Sequence, residues 1–589
     1  MSIFNVLSLI GGISLFLYGM HIMGEALAKT AGGKLESILE RLTNTVFKGV
    51  LLGAIVTAII QASAATTVMV VGFVNSGIMN LNQAVGIIMG ANIGTTITSW
   101  ILSLSGIEGS SIGIQLLKPT SWTPILAFIG IILLMFTKKQ KKHDVGQIFL
   151  GFAVLMFGMS TMTTSVAPLS DVPEFTNLLI KFRNPLLGML AGMILTAAIQ
   201  SSSASVGILQ ALCSTGAVTY SVAFPIIMGQ NIGTCVTTLI SAIGAKKNAK
   251  RAAFIHLYFN LVGTIVFLIV FYTVNAFIQF PFFDQRANAF GIALTHSFFN
   301  IITTIVWIPF NKLLVKLATI SVKGTDLDDE SQYTRELNML DSRFFERPSF
   351  AVAQAVNVCN RMAELSKECL VLAGDVMVKK YNKEKIEQVI GIERSIDKYE
   401  DSLGSYLVQL SGKPLSQEDS ETVTQLFQCM GSFERISDHA RNIVEIKEVM
   451  HDKELAFTDK ANSEIEKYVN AVQDIVSMTV DAYVKRDKVV LHRIEAFEEA
   501  IDNIDRKAKK HHIKRLQKGK CAIANSVVIE DLYINLERIA DHCSNVAATM
   551  IQVNEDDALE NHVYVNALKA GEPAEFKAAV KEYTKKYSL

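Results

Sequence analysis

Gln61-Ala62-Ser63-Ala64-Ala65-Thr66-Thr67 and Gly90-Ala91-Asn92-Ile93-Gly94-Thr95 return 139 residues later as Gln200-Ser201-Ser202-Ser203-Ala204-Ser205-Val206 and Gly229-Gln230-Asn231-Ile232-Gly233-Thr234. The alignment runs without a gap from Gly49–Ser99 onto Gly188–Thr238. At the same spacing, Gly12, Tyr18-Gly19-Met20 and Met23 match Gly151, Phe157-Gly158-Met159 and Met162. Each repeated core is a polar gap in apolar sequence. Paired gaps at corresponding places in two halves of a membrane protein point to a transport site.

The 589 residues carry no net charge, with 55 basic and 55 acidic side chains. That balance hides a split. Residues 1–320 are more than half of the chain but hold only about a quarter of its charged side chains. The first part reads as a membrane domain and the second as a soluble one, two parts suited to different solvents. No long basic run argues for nucleic acid. The seven cysteines show no paired spacing, and five lie in the soluble part, as suits a reducing cytoplasm. Without a basic segment ahead of it, Phe4–Ala28 reads as a first span rather than a cleaved signal.

A helical span needs about 20 mostly apolar residues. Seven are expected, near 4–28, 80–106, 121–137, 145–169, 219–244, 252–274 and 288–314. Two further segments, 49–78 and 188–217, are split by the Gln/Ser cluster into pieces too short to cross alone, and read as re-entrant helical hairpins. The basic loops Lys138–Lys142 and Lys246–Arg251 belong inside. Lys29, Lys34, Arg41, Lys48, Lys312 and Lys316 then also fall inside, and only Lys118, Lys181, Arg183 and Arg286 are left outside. This orientation puts the N-terminus outside and the soluble part in the cytoplasm. Three spans and a hairpin separate the starts of the two repeats. An odd number of crossings makes a direct sequence repeat an inverted one in the membrane, with hairpin tips approaching from opposite faces.

A broken helix within a membrane is tolerated where it lines a buried site, and the helix after the break offers free N–H groups and a positive dipole end. Around the two breaks stand Gln61, Ser63, Thr66 and Thr67, and Gln200, Ser201, Ser202, Ser203 and Ser205. This is a neutral, donor-rich lining suited to a small anion. No Lys or Arg sits at mid-span to neutralise that anion. His256 and His296 are intramembrane, as helix-packing hydrogen bonders or as a proton relay. A co-bound hard cation such as Na+ would supply the charge, held by amide, hydroxyl and carbonyl oxygens of the Asn-Ile-Gly-Thr segments. Asn92, Thr95, Thr96, Asn231, Thr234 and Thr237 are the candidate ligands. The glycines would let these helices unwind; a glycine kink with Thr bonded back to its own helix is the other reading.

At these residues the chain resembles the type II sodium–phosphate cotransporter family with its bacterial members, marked by two Gln-Ser-Ser-Ser motifs in inverted repeats, each followed by a Gly-Ala-Asn-Ile-Gly-Thr type segment. The resemblance covers about 1–320. The second Gln-Ser-Ser-Ser is complete at 200–203, whereas Ala62 and Ala64 replace serines in the first, and Gln230 replaces an alanine. The resemblance implies inorganic phosphate as substrate, Na+ as coupling ion and alternating access as mechanism. A phosphate sensor without coupled flux, and a carrier of another small anion, are the alternatives. An enzyme has no nucleophile–base constellation to stand on.

After a polar linker at 321–347, residues 348–555 read as helical, and repeat at a spacing of 103. Phe433-Glu434-Arg435-Ile436-Ser437-Asp438-His439 matches Leu536-Glu537-Arg538-Ile539-Ala540-Asp541-His542. Each repeat, roughly 348–448 and 457–552, is expected to form three antiparallel helices. The Glu-Arg-Ile-x-Asp-His pattern resembles the PhoU family, which implies a regulatory role and carboxylate metal sets. Here those would be Asp397, Glu434 and Asp438, and Asp502, Glu537 and Asp541, for a divalent or transition metal. An ion-paired surface stripe using Arg435, Arg441 and Arg538 is the other reading. The last stretch, 556–589, reads as a tail with a loose helix. The expected fold is thus all-α: a membrane domain at 1–320 of two inverted repeats (about 4–137 and 145–274) with a final span, then a soluble bundle of two three-helix repeats. Expected partners are phosphate, Na+ and the lipid bilayer of the plasma membrane, with a homodimer left open and no nucleic acid.

Overall fold

The computed structural model describes residues 3–31, 45–106, 118–137, 139–324, 336–552 and 574–589. Among them the chain is helical, with no strand. It divides into two compact units, residues 1–331 with 341–350, and residues 332–340 with 351–589. Lys34 and Arg41, counted above for orientation, lie outside the described residues, as do 325–335 of the linker and 556–573 of the tail.

The first unit contains α1 (Ile3–Ala31), α2 (Val46–Ile60), α3 (Ser63–Ser76), α4 (Leu81–Ser103), α5 (Pro119–Phe136), α6 (Gln140–Val166), α7 (Pro173–Lys181), α8 (Pro185–Ile199), α9 (Ser202–Cys213), α10 (Tyr220–Ser241), α11 (Lys247–Ile278), α12 (Ala289–Trp307) and α13 (Asn311–Ser321). Six of these helices are long and apolar enough to cross a membrane: α1, α4, α6, α10, α11 and α12. The span expected over 121–137 forms α5, shorter than those six. The last span ends at Trp307 rather than 314, because Pro309 has no N–H to continue the helix. The sequence reading does not anticipate α7, which meets α8 at 105°.

The contacts of one half recur in the other. A Cβ at Gly19 would stand 2.3 Å from Leu155 N, and one at Gly158 2.3 Å from Phe16 N; Gly12 faces Met162 and Gly151 faces Met23. Each pair is the other shifted by 139. Rising residue numbers in α1 meet falling ones in α6, so these corresponding helices are antiparallel. The pairs α2–α4 and α8–α10 pack equally closely. A Cβ at Gly90 would lie 2.0 Å from Val50 O, and one at Gly229 1.9 Å from Met189 O. Small residues let helix backbones touch where apolar burial gives no drive. The outer faces match too: Phe47, Leu51 and Ile55 are exposed, like Leu186, Leu190 and Ile194.

The segment read as linker has structure of its own at its C-terminal end. Phe344, 1% exposed, packs on Gly72 and Phe73; Arg343 Nε donates to Ser241 O at 2.9 Å, and Asn75 Nδ2 to Asp341 Oδ2 at 2.7 Å.

The second unit contains α14 (Pro348–Val378), α15 (Lys383–Ser411) and α16 (Gln417–Asp452), then α17 (Asp459–Lys485), the short α18 (Lys488–Leu491), α19 (Ile494–Gln517) and α20 (Ile523–Gln552). The two repeats join along α16 and α20, where His439 and His542 stack at 5.7 Å. The described end of the tail is not loose. It forms α21 (Ala574–Lys586), whose Tyr583 stacks on Phe497 at 4.2 Å, while Lys586 pairs with Asp474 at 3.1 Å. Phe576, Val580 and Tyr583 of α21, with Tyr587 just beyond it, form its one apolar stripe, short and set among many charges, which is why the sequence alone reads as a loose helix.

Candidate functional site

Both breaks fall on glutamine. Gln61 ends α2 at φ 60° and Gln200 ends α8 at φ 59°, each in the left-handed region with its N–H bonded to a threonine carbonyl, Thr57 or Thr196. A non-glycine residue there is uncommon, and glutamine is not among the types that favour it, so the strained turn is held by its surroundings. The next helices begin two residues on. Ser201 caps α9 through Ala204 N at 3.3 Å, but Ala62 cannot cap α3. The alanine that thins the first motif therefore leaves the first-turn N–H groups of α3 without a side-chain acceptor.

The site residues named from sequence are largely buried. Ser63, Thr66, Thr67, Ser202, Ser203 and Ser205 are at most 8% exposed, and Gln61 is 9%; Ser201 is half-buried and Gln200 exposed. The Asn-Ile-Gly-Thr segments do not break their helices, contrary to the expected unwinding. Both α4 and α10 run through them, and the glycines serve contact instead: a Cβ at Gly94 would meet Ala54 O, and one at Gly233 Met193 O. Asn92 and Asn231 donate their amide N–H to Ile88 O and Ile227 O at 2.8 and 2.9 Å. Thr95, Thr96, Thr234 and Thr237 donate to carbonyls of their own helices, so back-bonding holds. The hydroxyl protons are thereby spent on backbone, and the oxygens keep lone pairs.

The two halves meet through hydroxyls. Thr67 of α3 bonds Thr238 of α10 at 2.9 Å, and Thr238 bonds His256 Nδ1 at 3.0 Å. In α4, Ser99, the counterpart of Thr238, bonds His296 Nδ1 at 2.9 Å, while His296 Nε2 lies 3.3 Å from Asn231 Oδ1. An amide oxygen only accepts, so Nε2 carries the proton and Nδ1 accepts from Ser99. Asn300 Nδ2 also donates to Asn231 Oδ1, at 3.3 Å. Gln210 of α9 donates to Ser99 O and Ala289 O, both at 3.0 Å. Of the two readings for the histidines, these contacts are those of packing hydrogen bonders. The sequence reading does not single out Ser99, Gln210, Thr238 or Asn300. Ser99 and Thr238 stand at the end of the gapless repeat, and an amide inside an apolar span was the available signal for the others.

In the second unit, oxygens of Glu393, Asp397 and Asp438 lie within 4.8 Å of one another. Glu393 was not among the expected ligands. It is 2% exposed and takes a 2.8 Å ion pair from Arg441, so part of the set is already neutralised. Burial and the neighbouring Asp438 push the Glu434 carboxyl up to about 7, and burial with Glu393 raises Asp397. The second repeat forms no equivalent group among the described residues. There Arg538 stands 3.9 Å from Glu537 and 3.7 Å from Asp541, as Arg435 does for Glu434 and Asp438 at 3.5 and 3.7 Å.

Residues 15–164 and 171–285 match the Na+/Pi-cotransporter family, and 359–446 and 465–550 match the PhoU domain. The chain is 21% identical over 569 residues to "Putative inorganic phosphate export protein YjbB" of Escherichia coli, covering 95% of this chain and 100% of that protein. It is 28% identical over 268 residues to "Uncharacterized protein YqeW" of Bacillus subtilis, covering 45% and 83%. Over 91 residues it is 41% identical to the human "Sodium-dependent phosphate transport protein 2B", 14% of this chain and 13% of that one. No solved structure matches. The family is one of transporters, not enzymes. The duplicated glutamine breaks and the apolar helices around them lie in the part that matches one family, and the helical unit that follows lies in the part that matches the other: the chain joins a Na+/Pi-cotransporter domain, with several helices long and apolar enough to cross a membrane, to a PhoU domain.

Proposed function

We propose that the chain is a Na+-coupled carrier of inorganic phosphate working by alternating access between two inverted repeats. One observation carries this reading: the 2.9 Å bond between Thr67, in the first anion-binding tip, and Thr238, one turn past the second Asn-Ile-Gly-Thr segment. A tip of one half thus rests on the cation segment of the other, so occupancy of either is felt by both. The antiparallel α1 and α6, with reciprocal contacts, support opposite directions of crossing for the two halves. The short α2–α3 and α8–α9 pairs around each glutamine support re-entrant hairpins.

Phosphate is bound by the first-turn N–H groups of α3 and α9 and by Gln61, Ser63, Thr66, Thr67, Gln200, Ser201, Ser202, Ser203 and Ser205. Na+ is held by neutral oxygens of Asn92, Thr95, Thr96, Asn231, Thr234 and Thr237, and offsets the anion's charge in a site without Lys or Arg. The N-terminus is outside and the PhoU domain is cytoplasmic and regulatory. A divalent ion there is held by Glu393, Asp397 and Asp438, with Glu434 beside them; it is absent from the transport steps.

The test is radiolabelled phosphate flux in proteoliposomes with and without a Na+ gradient. Ser202→Ala and Gln200→Ala are expected to abolish the Na+-driven component while leaving the protein monodisperse. Full flux in both variants refutes the site, and phosphate binding without gradient-driven flux makes the protein a sensor. A second reading concerns direction. The relative that shares both units along its whole length is named for export, and cells preloaded with labelled phosphate distinguish export from uptake.

A further inference from the structure

The two halves carry four corresponding bonding side chains in and beside the hairpins but use them differently. At a spacing of 139, Thr57 corresponds to Thr196, Gln61 to Gln200, Thr66 to Ser205 and Thr98 to Thr237. In the first half all four are bonded. Thr57 Oγ1 donates to Thr66 Oγ1 at 3.0 Å, tying α2 to α3 across the break, and Thr98 Oγ1 donates to Gln61 Oε1 at 2.7 Å, tying the break to α4. Gln61 is only 9% exposed. In the second half neither bond exists. Thr196 Oγ1 and Ser205 Oγ are both fully buried and have no partner among the described residues. Thr237 turns back to Thr234 O at 2.9 Å, and Gln200 is exposed.

An unpaired buried hydroxyl is costly, and two of them at the positions of a bonded pair call for a reason. The residue types allow the bond, since Thr196 and Ser205 could pair as Thr57 and Thr66 do; their setting differs. Gln230 stands where the first half has Ala91, and its Nε2 donates to Ser205 O at 3.0 Å. The α1–α6 pair packs on both hairpins but at different places: on α2 at the first break, where a Cβ at Gly24 would lie 3.6 Å from Ile60 O, and along α9 past the second, where a Cβ at Gly207 would meet Phe16 while Gln200 stays exposed.

We propose that these side chains are a duplicated latch that closes on one hairpin at a time. In this conformation it is closed on the first. In the oppositely exposed conformation Thr196 bonds Ser205 and Thr237 bonds Gln200, while Thr57–Thr66 and Thr98–Gln61 open. Thr57, Thr98 and Thr196 are then positioning residues that set the balance of the two conformations and need not touch phosphate or Na+. This rests on the alternating-access reading above.

The test uses the full chain in nanodiscs, with Cys521→Ser to remove the one cysteine that is not buried, and one reporter, Ala62→Cys at the first tip. Its rate of maleimide labelling follows the population in which that tip is open. One hydrogen bond changes that population by about fivefold. Thr57→Val is expected to raise the rate about fivefold, and Thr196→Val to lower it about as much. Thr98→Val repeats the first result through the other bond, should Thr57→Val fail to fold. The twin reporter Ser201→Cys should show both shifts with opposite sign. Shifts of one sign in Thr57→Val and Thr196→Val, or no shift in monodisperse protein, overturn the latch. The readout needs neither Na+ nor phosphate, so it stands or falls apart from the flux assay.

Discussion

Gly229→Ala places a methyl group where the facing helix already is. Its Cβ would lie 1.9 Å from Met189 O, 2.7 Å from Met189 C and 2.9 Å from its Cα. All three are backbone, so no side chain can rotate aside. A comfortable C···O approach is about 3.3 Å, so α8 and α10 must separate by about 1.4 Å. Overpacking of this kind costs about 1–3 kcal/mol, and rigid backbone puts it at the upper end. Alanine returns about 1 kcal/mol of helix propensity, which leaves a net loss of about 2 kcal/mol. The assay is thermal unfolding of the detergent-solubilised full chain, followed by size-exclusion. Gly90→Ala, 2.0 Å from Val50 O, should lose as much, being the same contact in the other half. Gly11→Ala is the control: nothing lies within 4 Å, and it should be neutral or stabilising. A Gly229→Ala variant that unfolds with wild type or with Gly11→Ala refutes the backbone contact and the packing role of these glycines.

Three further outcomes are expected. Gln210→Leu removes the donors that tie α9 to Ser99 O and Ala289 O, and should cost about 1–3 kcal/mol in thermal unfolding, because two buried interhelical hydrogen bonds are lost. The raised Glu434 carboxyl makes the folded PhoU domain bind a proton more tightly than the unfolded chain does. Stability should therefore fall as pH rises from about 4.5 to about 7, and Glu434→Gln should flatten that slope in denaturant titrations at several pH values. Deleting 574–589 uncovers Phe497 and should lower the melting temperature of the second unit and increase binding of a hydrophobic dye.

The sequence made the helices and their duplication legible because span length, glycine spacing and the Gln/Ser gaps are local signals that survive a shift of 139. The two glutamine breaks are where the polar clusters placed them. What stayed hidden was relational. Asn-Ile-Gly-Thr reads as a point of unwinding when α4 is considered alone; only the nearness of α2 shows that Gly90 and Gly94 exist for contact. Glu393 looked like one more acid on α15 until Asp438 was brought beside it from α16. The asymmetry between Thr57 and Thr196 is invisible in any alignment, because both are threonine and only one has a partner in space.

The crossing of α1 and α6 has a consequence for origin as well as for mechanism. Gly19 meets Leu155 as Gly158 meets Phe16, and Gly12 meets Met162 as Gly151 meets Met23. Each helix presents the other's counterpart surface, so the contact is self-complementary. A half-length polypeptide would already possess both partners of this interface and could pair with its own antiparallel copy. Gene fusion then contributes a tether to a pre-existing association rather than a new fit. Freed from the demand of strict identity, the two copies could diverge where divergence is useful, as Ala62 and Ser201 have.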